Sequence, residues 1–176
     1  MKPLYVMLTL LMVGSLTGCA LRSGADGRGP LRLPGDARAE ASIGAPVPQD
    51  MAFSYGLLTV ENDSNQEIVV DEAELVGADP GIDLIGAYGV RTNSGIGFLA
   101  GFRPKGRELH RLKIGPHAQI QIILGVKVVS KGRHRFEKIA LKYHAGNHQY
   151  RGLYGMSARL CSPVKTYVKK CAGLIG

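Results

Sequence analysis

Two sets of side chains in this 176-residue chain could do chemistry through their type and spacing. His144 and His148 lie four apart with Gly146 and Asn147 between them, so a turn there could bring two imidazoles together, and His134 sits near another turn. Imidazole nitrogens suit copper or zinc, although two of them make only a weak site. The second set is the run Lys131-Gly132-Arg133-His134-Arg135, which with Arg103, Lys105 and Arg107 would form a basic face for anionic groups. Solvated loop histidines and ordinary charged strand faces are the plainer readings of both sets.

Motifs for catalysis are missing. The chain has no Gly-x-Ser-x-Gly elbow, no His-Glu-x-x-His and no phosphate loop. Its carboxylates crowd into Glu61 to Asp83, where Asp71, Glu72 and Glu74 read as the wet side of one strand and its turn. The expectation is a non-enzyme with no cofactor.

The cysteines carry the strongest signal. Lys2 is followed by an apolar run from Leu4 to Val13, then Gly14 and Ser15, and the stretch closes with Leu16-Thr17-Gly18-Cys19. The run is too short to span a bilayer, which takes about 20 apolar residues, but it has the charged start, apolar middle and small-residue end of an export signal. Leu16 to Cys19 resembles the lipobox of bacterial lipoproteins. The resemblance implies a diacylglyceryl group on the Cys19 thiol, cleavage after Gly18, and a protein anchored in the cell membrane on its extracytoplasmic face. Two acyl chains give a stable anchor where one gives only marginal binding. Ala20 replaces the Asp that retains such proteins at the inner membrane, which implies the outer membrane in a two-membrane cell.

With Cys19 assigned to lipid, Cys161 and Cys171 remain as an even pair, as expected in an oxidising compartment. A disulfide between them is the natural reading. A metal pair or two free thiols are the alternatives, and the nine-residue gap matches no zinc signature.

These residues need elements to hold them. Residues 1–18 read as the signal peptide and 19–52 as the lipidated N-terminus and a flexible tether, because Ala20 to Asp50 is rich in Gly and Pro and lacks periodicity. From residue 53 to 176 the pattern changes to period two. Ile120, Ile122, Leu124, Val126 and Val128 alternate with a wetter set, as do Ile139, Leu141 and Tyr143 with Lys138, Lys142 and His144. Tyr55 to Glu61 and Glu67 to Val76, joined by Asn62-Asp63-Ser64-Asn65, read as a hairpin. Ile82 to Val90, Leu109 to Ile114 and Tyr150 to Leu160 bring the count to about seven antiparallel strands. The expected fold is all-β, an immunoglobulin-like β-sandwich ending in the disulfide loop. It resembles the domains of bacterial surface proteins in its opening strands, Leu58 to Leu75. Tyr143, Tyr150 and Tyr154, with Tyr88 joining them, read as packing residues at the core boundary.

Charge is uneven along this domain. Phe53 to Phe102 holds eight carboxylates against Arg91, whereas Arg103 to Arg151 holds twelve cations against Glu108 and Glu137. Either the two halves pair across the sandwich, or the basic half takes a partner: an anionic envelope polymer, an envelope protein or lipid headgroups. Nucleic acid is disfavoured, since the wet faces lack interleaved aromatics. The functional expectation is a membrane-anchored lipoprotein with a non-catalytic binding or interaction domain in the cell envelope. The alternative is a small-ligand or metal-binding lipoprotein that uses His134, His144 and His148.

Overall fold

The computed structural model describes residues 22–24, 29–33, 41–91, 97–103 and 106–163. Cys19, Lys105 and Cys171 lie outside them. Within them the chain is all-β, with fourteen strands: β1 Arg22–Gly24, β2 Leu31–Arg32, β3 Ala41–Pro46, β4 Ala52–Asn62, β5 Ile68–Val76, β6 Ile82–Val90, β7 Phe98–Ala100, β8 Arg107–Glu108, β9 Leu112–Ile114, β10 Gln119–Val128, β11 Gly132–Phe136, β12 Lys138–Ala145, β13 His148–Tyr154 and β14 Met156–Ser162. A first sheet runs β1-β13-β12-β5-β9 and a second runs β2-β4-β10-β6-β8, with β7 also on β4. A third, smaller sheet is β11-β14-β3. The all-β sandwich expected from the alternation is present, cut into more and shorter strands.

Alternation explains the core. Leu58 and Val60 on β4, Ile122, Leu124 and Val126 on β10, Ile68 and Val70 on β5, and Ile139 and Leu141 on β12 are all fully buried in one apolar cluster. Apolar burial at about 25 cal/mol per Å² is the main force holding the sheets face to face. Tyr55 joins the third sheet to this core: its ring meets Phe136 edge-on at 5.4 Å, and its hydroxyl donates to the Ser157 carbonyl at 3.0 Å.

Strand β10 departs from the half-wet strand expected. Ile123 is fully buried and Gln121 is 4% exposed, so the strand is covered on both faces. The cover is Phe102, whose ring lies so close over Gly125 that a β-carbon there would sit 2.6 Å from it, and Tyr88, 5.7 Å from Phe102 between ring centroids. Tyr88 thus serves this second layer, away from the other tyrosines. Gln121 is paid for by a bulge: the register shifts between Ile122 and Leu124, leaving an extra residue on β4, and the Gln121 amide donates to the Gly56 carbonyl.

Two further expectations need correcting. Strands β4 and β5 do not form a hairpin, because they belong to different sheets and the Asn62 turn carries the chain across the sandwich. Asn62 is completely buried. Its amide nitrogen shares two hydrogens among the carbonyls of Gln66, Ile114 and Gly115 at 2.8, 3.1 and 2.9 Å. Its side-chain oxygen accepts from the Ser64 backbone N–H and hydroxyl at 3.1 and 2.7 Å. A turn with these bonds satisfied internally has no need of ladder pairing between its flanks. Likewise, Tyr150 to Leu160 is two strands, with the break at Gly155 taking the chain from the first sheet to the third.

The segment expected as a tether is paired where it is described. Described residues within 19–52 are docked on the domain. Strand β1 pairs parallel with β13, β2 pairs with β4, and β3 pairs parallel with β14. Leu31 and Val47 enter the core. Gly29 packs under the Tyr143 hydroxyl, where a β-carbon would lie 2.2 Å from that oxygen. Tyr154 donates to the Leu31 carbonyl at 3.1 Å, and Tyr150 stacks on Tyr143 at 5.2 Å. Burial pushes the Tyr143 hydroxyl up to about 12, so it stays neutral against this segment. Gly and Pro conceal the docking, since a few apolar anchors and edge hydrogen bonds suffice and leave no periodicity.

Replacing Asn62 by Ala removes the donor from three carbonyls and the acceptor from Ser64. The expected cost is about 2–4 kcal/mol of stability, read as a lower urea midpoint, with amide exchange accelerated first in residues 62–67 and 114–118.

Candidate anion-binding face

Strand β11 alternates Arg133 and Arg135 outward with His134 and Phe136 inward. Strand β14 runs antiparallel beside it, with Ala158 and Leu160 inward and Arg159 outward. The register places Arg135 directly opposite Arg159. Like charges facing each other across a ladder destabilise it. The Arg135 guanidinium has Glu137 at 3.7 Å, and its backbone N–H donates to the Asp79 carboxylate at 2.8 Å. Arg159 is exposed and has no ion pair among the described residues. Lys131, also exposed, precedes β11 in a turn that Gly132 completes at a φ of 128°.

His134 serves this turn as a structural residue. It is buried against Gly81, and its Nε2 lies 3.0 Å from the Ser130 carbonyl. A carbonyl only accepts, so Nε2 carries the hydrogen and its lone pair is not free for a metal.

The predicted basic residues do not form one face. Lys131, Arg133 and Arg135 belong to the third sheet. Arg107 lies opposite Gly89 on the edge of the second sheet, and Arg103 follows Phe102 in the layer covering β10. Ile82, at the end of β6 near β11, is seven residues from Gly89, about 23 Å at 3.3 Å per residue. Arg159 stands near Tyr150 and Tyr154 in the sequence as a candidate interface residue but not in the basic set, although the alternation of β14 marks it as outward. Only the cross-strand register reveals its neighbour.

On the first sheet cations and carboxylates are paired. Lys142 contacts Glu72 at 2.9 Å and also contacts Glu74, which accepts from Arg151 at 3.1 Å. Lys113 pairs with Glu67 and His144 with Asp71, both at 2.8 Å. The acidic strand β5 therefore lies beside basic β12, which explains the opposite charge of the two halves. The Lys142 ammonium, by hydrogen bonding to it, holds the Glu74 carboxyl below the ordinary glutamate value.

The histidine pair is not assembled. The register sets His144 against Gln149 and Ala145 against His148, so the two imidazoles leave opposite faces of the hairpin. Among the described residues no group of three or more His, Cys, Asp or Glu could hold a metal ion. A cleft of about 440 Å³ between β5 and β6 is lined by Leu84, Ile85, Phe102, Glu108 and His110, but its Asp71 and Glu72 are already engaged by His144 and Lys142. Cys161 is buried and disulfide-bonded; the expected pairing with Cys171, like the lipidation of Cys19, falls on residues outside those described.

The sequence matches no protein family and no curated protein. Among solved structures, the ASH / PapD-like domain of human CEP192 (PapD-like domain 7) is similar at 10% identity and a TM-score of 0.41, over 70% of this chain and 82% of that one. The Vibrio cholerae VesB protease is similar at 8% identity and a TM-score of 0.40, over 69% of this chain, which spans 30% of the protease.

The Glu74 network has a pH signature. A carboxyl depressed on folding contributes stability that is present above its unfolded value and lost as pH falls through the folded one. Wild-type protein is expected to lose this contribution below about pH 4.5. Glu74→Gln should lower stability at neutral pH by about 0.5–1 kcal/mol and flatten the acid limb of a urea-midpoint profile, and an unchanged limb would contradict the pairing.

Proposed function

We propose that this chain is a lipid-anchored envelope protein whose sandwich binds an anionic partner, without catalysis, through the outer face of the third sheet. The anchor rests on the sequence from Lys2 to Cys19 and its likeness to a lipobox. The binding face rests on one observation: Arg135 opposes Arg159 across a ladder, with Arg133 and Lys131 beside them.

The first sheet also sets Lys142 against Arg151, but there carboxylates contact the cations, Glu72 reaching Lys142 and Glu74 reaching both. On the third sheet Arg135 has Glu137 but Arg159 has no carboxylate among the described residues, which is understandable if its balancing anion comes from another molecule. Carboxylate or phosphate groups fit, because guanidinium forks bind them bidentately. The metal-binding alternative draws no support from the separated histidines.

Two variants test the proposal. Cys19→Ser should move an otherwise folded domain from the membrane fraction to the soluble fraction. Arg159→Glu should raise stability by about 0.5 kcal/mol, since it replaces repulsion with attraction to Arg135, while weakening binding to polygalacturonate, a carboxylate polymer, roughly tenfold. Loss of binding together with loss of stability would reduce Arg159 to a structural residue. Unchanged binding would remove the face from consideration.

A further inference from the structure

The first described strand, β1, begins at the end of the sandwich opposite the basic face. One end is closed by the turns at 62–67, 115–118 and 146–147. There Ala145 pairs with both Ile68 and His148, Ile68 pairs with Ile114, and the Asn62 amide ties the Gln66 and Gly115 carbonyls together. At the other end Lys138 pairs with Val76 and Ile139 with Tyr154. The third sheet attaches at that end: the Asp79 N–H donates to the Arg135 carbonyl, the Glu137 N–H to the Val76 carbonyl, and Gly81 packs on His134. Strand β12 runs between the two ends over Lys138–Ala145, about 23 Å at 3.3 Å per residue.

The N-terminal chain enters at the Asn62 end. Strand β1 is parallel to β13, with Arg22 opposite Tyr150 and Gly24 opposite Gly152, so the chain arrives from the side of the His148 turn. Cys19 is three residues before Arg22, at most about 10 Å away. A second contact agrees with this. The Pro30 carbonyl accepts from the Asp63 N–H at 2.7 Å, which keeps the following segment at the same end.

We infer that the domain stands end-on at the bilayer, with the Asn62 turns toward the headgroups and the third sheet facing away. The inference rests on the lipid anchor and the anion-binding face proposed above, and it identifies the partner. The Debye length at physiological salt is about 8 Å, so a face more than 20 Å out along β12 is screened from headgroup charge. Its partner is an anionic polymer lying beyond the bilayer.

Full-length lipidated protein reconstituted into vesicles tests this. Flotation comes first: failure to float overturns the anchor and, with it, the end-on placement. In floated protein, a fluorescent amino acid at Asn147 should be quenched by a headgroup-linked quencher about twofold more than one at Lys138, and equal or reversed quenching overturns the orientation. Polygalacturonate should bind vesicle-held protein and the soluble Cys19→Ser chain with affinities equal within about twofold, with or without phosphatidylglycerol in the vesicles. Competition by phosphatidylglycerol, together with binding of the Cys19→Ser chain to such vesicles, would make headgroups the occupant and overturn the inference. If both forms fail to bind the polymer while the quenching result holds, the orientation stands and the basic face is withdrawn.

Discussion

The arrangement depends on one buried amide. Asn62 stands where the chain leaves the second sheet for the first, a point at which several backbone carbonyls would be stranded away from water. Its side chain answers three of them with its nitrogen and the Ser64 turn with its oxygen. An amide can do both with two hydrogens and one oxygen, whereas a carboxylate has no donor and a leucine has neither. The same residue holds the 114–118 turn through its backbone, accepting from the His117 N–H and donating to the Ala118 carbonyl. The closed end of the sandwich, the crossing between its layers and the docking of Pro30 beside Asp63 all follow from this residue.

Once β4 and β5 are sent into different sheets, the charge pattern acquires a simple form. Acidic β5 becomes the neighbour of basic β12, and the opposite charges of the two halves of the sequence meet as a ladder on one wet face. Each exposed pair contributes little alone, but the ladder leaves the first sheet nearly balanced. The third sheet is the exception: Lys142 and Arg151 of the first sheet share Glu74, whereas Arg159 faces Arg135 with no carboxylate of its own among the described residues. That contrast between a balanced face and an unbalanced one is what directs attention to Arg159, whose significance is invisible in isolation.

The tyrosines show how a low-complexity segment can belong to a fold. Tyr143 and Tyr154 reach over Gly29 and Leu31, and the missing side chain of Gly29 gives the Tyr143 hydroxyl its place. Glycine and proline there suggest freedom when read along the chain, yet they are also what lets the backbone lie flat under an aromatic hydroxyl. A similar role falls to Gly125 beneath Phe102, where the absence of a β-carbon turns an outer sheet face into a second buried layer.

The sequence by itself determined the class of the fold, because period-two burial is a local property that Ile120 to Val128 and Ile139 to Tyr143 display without reference to any partner strand. It also located most of the strands and the residues of the basic run, since turn-forming residues and charge are visible at single positions. Only the tertiary structure decided which strands are neighbours. Pairing joins residues far apart in the chain, so the separation of His144 from His148, the division of Arg107 from the run at Lys131 to Arg135, and the meeting of Arg135 with Arg159 are consequences of pairing. The tight turn at Gly146 sets the register that parts the histidines, and the antiparallel pairing of residues 132–136 with 158–162 sets the one that joins the arginines; such pairings are read across the sheet and not along it.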